Sequence, residues 1–141
     1  MEKLHKKYDD LFRIHKALGV SIQRYEEALS DNTSDHETQE ERRDSVFKRF
    51  ELTFDLLWKY LREYIIATQG ISFDTPRKLF QQCLTLGITN EDETRQLVAL
   101  IESRNLTAHV YDIDLANEVA EKISHYFNVI HEIIVRLTPE S

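Results

Sequence analysis

The sequence predicts an all-α protein, an antiparallel four-helix up-and-down bundle with one additional short helix. Three observations carry this expectation. Only three glycines and two prolines occur in 141 residues, of which 41% are hydrophobic and 30% charged, a balance that suits helices better than a sandwich or a disordered tail. Apolar residues recur at steps of three and four along the long segments. Polar stretches rich in capping residues separate those segments.

The first segment runs Leu4, Tyr8, Leu11, His15, Leu18, Ile22, Tyr25, Leu29, alternating steps of four and three as in a bundle seam. "SDNTSDHET", residues 30–38, is polar and unpatterned and reads as a loop. A second long helix is expected from about residue 39 to Gly70, with Phe47, Phe50, Phe54, Leu57, Trp58, Leu61 and Ile65 on its apolar side. In "SFDTPRKLFQQCLTLG", Thr75 is a helix cap, Pro76 takes the first helical position and Gly87 closes a short helix in the left-handed conformation. Thr89 or Asn90 caps the next helix, whose first turn carries three acidic residues at 91–93, where the helix dipole favours negative charge. Asp112 or Asp114 begins the last helix, with Leu115, Val119, Ile123, Tyr126, Phe127, Ile130 and Ile134 on its face.

The chain is long enough to bury roughly two thirds of its unfolded surface in one core, so residues 1–141 are expected to form a single helical domain. A lone cysteine, Cys83, leaves no intrachain disulfide and suits a reducing cytoplasm. No apolar run reaches the roughly 18 residues of a membrane span, and "MEKLHKKYDD" has no signal-peptide core. The net charge of −7 disfavours a nonspecific nucleic-acid binder, because such binding draws on counterion release at basic surfaces. Any contact with RNA or nucleotide is therefore local. Arg42, Arg43, Lys48, Arg49, Lys59 and Arg62 gather positive charge on the second helix. They read as a basic surface or, more simply, as a solvated face balanced by nearby glutamates.

"RNLTAHVY", residues 104–111, is the stretch that carries chemistry. If its helix continues straight, a step of 100° per residue places Leu97, Leu100, Ile101, Arg104, Ala108 and Tyr111 on one stripe. Asn105 and His109 flank it. A charge on a stripe that should be buried needs a partner, a cavity or an interface. On such a helix Arg104 and His109 stand about 140° apart, so their convergence requires reach over Ala108, a distorted turn or a second protomer. Two readings of these residues stand: a bundle arginine paired with a carboxylate on another helix, or a small polar site.

Arg104, His109 and Tyr111 resemble the R-x4-H-x-Y signature of the HEPN superfamily, in the branch paired with minimal nucleotidyltransferases. "RRDSVFKRFELTFDLLWKYLREY" (42–64), "TPRKLFQQCLTLGI" and "RNLTAHVYD" resemble successive segments of nucleotidyltransferase substrate-binding proteins in the same order. The likeness spans roughly residues 42–135. It implies a homodimer with the motif lining a cleft at the two-fold interface, and a small nucleotidyltransferase encoded nearby as partner. It also implies a metal-independent ribonuclease toxin with Arg104 and His109 as catalytic pair, Asn105 as accessory residue and Tyr111 as acceptor of a silencing AMP. No cofactor is expected.

Those residue types suit the chemistry. Metal-free RNA cleavage takes a proton from a 2′-hydroxyl and supplies one to the leaving 5′-oxygen, and an imidazole serves either step. Arginine offers a planar fork of donors to phosphate oxygens as charge develops. A dimer supplies the second histidine. The same resemblance equally describes a non-catalytic subunit that presents nucleotide or another substrate to the nucleotidyltransferase. His125 and His131 are six apart, and no HExxH, paired-cysteine or Asp-rich loop offers metal-ligand spacing. Trp58 and the phenylalanines of the second helix read as core rather than as stacking platforms, and Cys83 as a small packed residue.

Overall fold

The computed structural model describes residues 2–139. Among them are five α-helices: α1 (Glu2–Ser30), α2 (His36–Gln69), α3 (Pro76–Thr85), α4 (Glu91–Leu106) and α5 (Ile113–Arg136), with a 3-10 turn at Thr107–His109 between the last two. Long helices connected by short turns must lie antiparallel to bury their apolar stripes, and the cross-links between α1 and α2 give the register. Lys7 Nζ lies 3.6 Å from Glu63 at one end, Ser21 and Ser45 share a hydrogen bond midway, and Gln39 reaches the Ala28 carbonyl beside the connecting loop. α5 returns along α1, tied by Tyr8 to Thr138 at one end and Tyr25 to Asn117 at the other. The first residues of α4 meet the last of α5 through Glu93 and Arg136. Thus α1, α2, α4 and α5 alternate in direction, and α3 is the added short helix.

The core is continuous across all five helices. Leu11, Leu18, Phe50, Leu61, Phe80, Leu97 and Ile123 are among its fully buried side chains, each stabilising the fold by roughly 1.5–3 kcal/mol relative to exposure. The α1 seam follows the expected spacing up to Tyr25. There Ala28 replaces Leu29 as the buried residue, and Leu29 is left exposed. Gly19 lets α5 come close: a Cβ at this position would stand 2.7 Å from Phe127 Cζ. No helix of the described residues is long and apolar enough to cross a membrane.

Local signals account for most boundaries. Thr75 accepts from Lys78 N with Pro76 in the first turn, and Gly87 takes φ 74°. Asn90, rather than Thr89, caps α4 in a reciprocal capping box with Glu93. Asp112, rather than Asp114, caps α5. Two boundaries differ from expectation. α2 starts at His36 instead of about 39, because Asp35 accepts from Thr38 N and caps it. α4 stops at Leu106 instead of continuing through the motif, because a 3-10 turn and the Asp112 cap must turn the chain into α5.

Candidate functional site

That early stop rearranges the motif. With α4 ended at Leu106, Tyr111 does not continue a buried stripe; it stands 91% exposed just before the α5 cap. Asn105, Ala108 and His109 are exposed too. Neither His109 nor Tyr111 uses its side chain in a hydrogen bond or ion pair among the described residues. Leu106 and Val110 supply the apolar underside of this turn, packing against the core.

Arg104 alone of the motif is anchored. It lies in the last turn of α4, where a cation complements the exposed carbonyl end of the helix. Its Nη1 donates to Glu51 Oε2 at 2.9 Å, and its Nε lies 3.7 Å from Asp55 Oδ1. Glu51 and Asp55 are one turn apart on α2, so both carboxylates face α4 from the same side. The Thr107 hydroxyl shares its proton between Glu51 Oε2 at 3.1 Å and the Arg104 carbonyl at 2.8 Å. That second contact engages a carbonyl of the last helical turn and helps tighten the chain into the 3-10 turn.

The expected carboxylate partner of Arg104 is therefore present, twice over. The side chain keeps 29% of its surface exposed, and Nη2 makes no hydrogen bond among the described residues. Glu51, Asp55 and Thr107 belong to the site although sequence reading passed over them. Their signal was a pair of carboxylates four apart within the otherwise aromatic "RFELTFDLLW". Between Arg104 and His109 the α-helix gives way to a 3-10 turn.

The basic residues of α2 do not form a surface for a polyanion. Arg49 donates to the Ala17 carbonyl and the Ser21 hydroxyl of α1, and Arg42 to the Arg24 carbonyl. Arg62 covers the ring of Trp58 at 4.9 Å, a cation–π contact that keeps the indole in the partly buried shell of the core. Arg43 is itself buried. With three arginines tied to neighbouring groups and a fourth buried, Lys48 and Lys59 are the exposed members. Cys83 is buried, and burial pushes its thiol up to about 12; it is packing, not a nucleophile.

The comparisons with known proteins agree with this architecture. The family model described as nucleotidyltransferase substrate binding protein like matches residues 13–138. A crystal structure of a Thermus thermophilus protein is similar at TM-score 0.69 with 22% identity, covering 86% of this chain and 99% of that one. A tri-AMPylated HEPN toxin from Shewanella oneidensis, solved in complex with its MNT antitoxin, is similar at TM-score 0.67 with 16% identity, covering 94% of this chain and 98% of that one. At such identities the two structures share the fold. No curated protein matches the sequence. With the family model spanning nearly the whole bundle, the chain belongs to the nucleotidyltransferase substrate binding protein like family, and it shares its fold with the HEPN toxin.

Proposed function

We propose that this protein is the metal-independent endoribonuclease of a toxin–antitoxin pair, active as a homodimer and silenced when a partner nucleotidyltransferase adenylylates Tyr111. The observation that carries this reading is the contrast within the motif. Tyr111 is 91% exposed and His109 is exposed and unengaged, while Arg104 is held with one terminal nitrogen to spare. An acceptor tyrosine must reach another protein's active site, and an exposed turn lets it do so.

In cleavage, the 2′-oxygen of RNA attacks the adjacent phosphorus as His109 of one copy removes its proton. The 5′-oxygen leaves with a proton supplied by His109 of the second copy, giving a 2′,3′-cyclic phosphate and a 5′-hydroxyl. Arg104 Nη2 donates to the phosphate oxygens as charge builds on them. Glu51 and Asp55 are positioning residues that hold the guanidinium. In silencing, the Tyr111 oxygen attacks the α-phosphorus of ATP, loses its proton and expels pyrophosphate, and the added charge and bulk then cover the turn. Modification of the Shewanella toxin with AMP, and its complex with an MNT antitoxin, supports this reading by analogy of fold.

A second reading keeps the partner and drops the catalysis: a subunit that presents substrate to the nucleotidyltransferase. Its support is the family description and the two carboxylates already on Arg104, with which a phosphate must compete.

Expression without the partner separates the two readings. Wild type is expected to degrade cellular RNA. His109→Ala is expected to lose at least about 100-fold of that activity, the typical contribution of one acid–base group, with its thermal melt unchanged because the imidazole is exposed. Intact RNA at high expression of folded wild type would leave the presenting subunit in its place. After co-expression with the partner, AMP mass is expected on the Tyr111 peptide and absent from Tyr111→Phe.

A further inference from the structure

We infer that a cavity at the N-terminal end of α2, walled by α1, α2 and α5, is a recognition site for a nucleoside 5′-phosphate, with Arg43 as its phosphate donor. The cavity measures about 330 Å³, within the range of small-ligand sites. Arg43 contributes to its wall and is 8% exposed. Among the described residues no carboxylate lies within ion-pair distance of it.

A buried guanidinium without a counter-ion is costly unless something compensates the charge. Here the compensation is thin. Nη1 donates to Asn117 Oδ1 at 3.2 Å, the Phe47 ring centroid lies 6.0 Å from Cζ, and Nε is buried with no hydrogen-bond partner. Asn117 Oδ1 also accepts from the Tyr25 hydroxyl at 3.2 Å, so the amide oxygen is already fully used. Nη2 makes no hydrogen bond among the described residues. This is a donor fork, pre-positioned by Asn117, that lacks its anion.

Charge and lining favour a phosphate. The cavity sits against the first turns of both α2 and α5, with His36 and Ile113 in its wall, and since the caps Asp35 and Asp112 already answer those helix ends, the anion's partner there is Arg43. Glu40 is the acidic residue of the wall and is exposed, at the rim. The rest of the wall is Leu29, Ile113, the Tyr25 ring and Gln39, whose amide donates to the Ala28 carbonyl. That composition fits a flat base and a sugar beside a single phosphate better than it fits inorganic phosphate alone.

Ile113 follows Tyr111 by two residues, so their Cα atoms lie within about 7 Å. The same phosphate chemistry therefore has two sources, a free nucleotide or the AMP carried on Tyr111. Only the second source rests on the adenylylation reading.

Calorimetric titration of the unmodified full chain tests the site. AMP is expected to bind with a Kd below about 1 mM, and adenosine at least about 10-fold more weakly, since it lacks the group that Arg43 recognises. Arg43→Met should weaken AMP at least about 10-fold, and Glu40→Gln should strengthen it by removing a like charge at the rim. Should Arg43→Met fail to fold by circular dichroism, Arg43→Lys, which keeps the charge and loses the fork, is expected to bind several-fold more weakly. AMP no tighter than adenosine, or equal binding by a folded Arg43 variant, overturns the site.

The second arm uses chain carrying AMP after co-expression with the partner. If the tethered nucleotide fills the cavity, free AMP no longer binds the modified protein but still binds Tyr111→Phe. Continued binding by the modified chain overturns the tethered source and assigns the cavity to free nucleotide. Absence of AMP on Tyr111 overturns the adenylylation reading, while the first arm still decides the cavity.

Discussion

Two arginines, at opposite ends of the chain's chemistry, are treated in opposite ways by the same helix. Arg104 arrives from α4 and meets Glu51 and Asp55 on the middle of α2. Arg43 sits on α2 itself, more deeply buried, and meets only an amide and a ring. The half-exposed cation has two counter-ions and the buried one has none. Charge pairing in this protein therefore does not follow burial, as it would if each arginine served only the fold. Arg104 is held as part of a preformed polar network, whereas Arg43 is a charge kept in reserve against a cavity.

The histidines repeat the contrast. His15 lies 3% exposed, stacked 4.1 Å from the Phe127 ring and 6.1 Å from His131, while His109 faces solvent. Burial, and secondarily the neighbouring His131, lower the His15 pKa to about 4, and the Phe127 backbone offsets this in part without completing a hydrogen bond. The sign follows from linkage: the unfolded chain binds this proton near the ordinary value of 6.5 and the native state does not. Stability that is full above that pH is lost as pH falls toward 4. The loss should be on the order of 3 kcal/mol, from the shift in pKa, and denaturant titrations at pH 7 and pH 4.5 measure most of it. His15→Leu is expected to flatten this limb. An unchanged slope in His15→Leu would break the contrast between the two rings.

Glu51→Ala comes next in size. It removes the nearer carboxylate of Arg104 and one of the two acceptors of the Thr107 hydroxyl, and losing an acceptor for a partly buried charged donor costs about 1–3 kcal/mol. Chemical denaturation should register this, and RNA cleavage should fall as well, because the guanidinium loses its nearer anchor. Retained stability would mean that Asp55 takes over the whole charge.

Arg43→Met is the smallest effect on stability, within about 1 kcal/mol of wild type. No carboxylate is stranded by the change, and a hydrophobic replacement for a buried charge is commonly neutral. The same denaturation series checks it, and a loss as large as that of Glu51→Ala would show that Arg43 is held for the fold rather than for a ligand.

Much of the bundle was legible because its signals are local. Thr75, Asn90 and Asp112 cap their helices through side chains that bond to backbone two or three residues away, and a three-four spacing fixes which side of a helix turns inward. The motif was legible as a set of residues, through likeness to a family. Its shape was not. Extending α4 through Tyr111 treated helical phase as continuous, and that phase ends where Thr107 bonds both to the backbone of its own turn and to a carboxylate on α2. Asp35 does not stand out as a cap because it lies inside a run in which nearly every residue is polar.

The sequence by itself determined the helices, most of their caps, the buried faces and the residues of the R-x4-H-x-Y motif, since each follows from neighbours a few positions away. Only the tertiary structure decided which charges meet. Glu51 and Arg104 are 53 residues apart, and Arg43 and Asn117 are 74 apart. Such pairs form only when the packing of apolar faces brings distant turns together. The electrostatic outcome then depends on side-chain positions that no periodicity encodes.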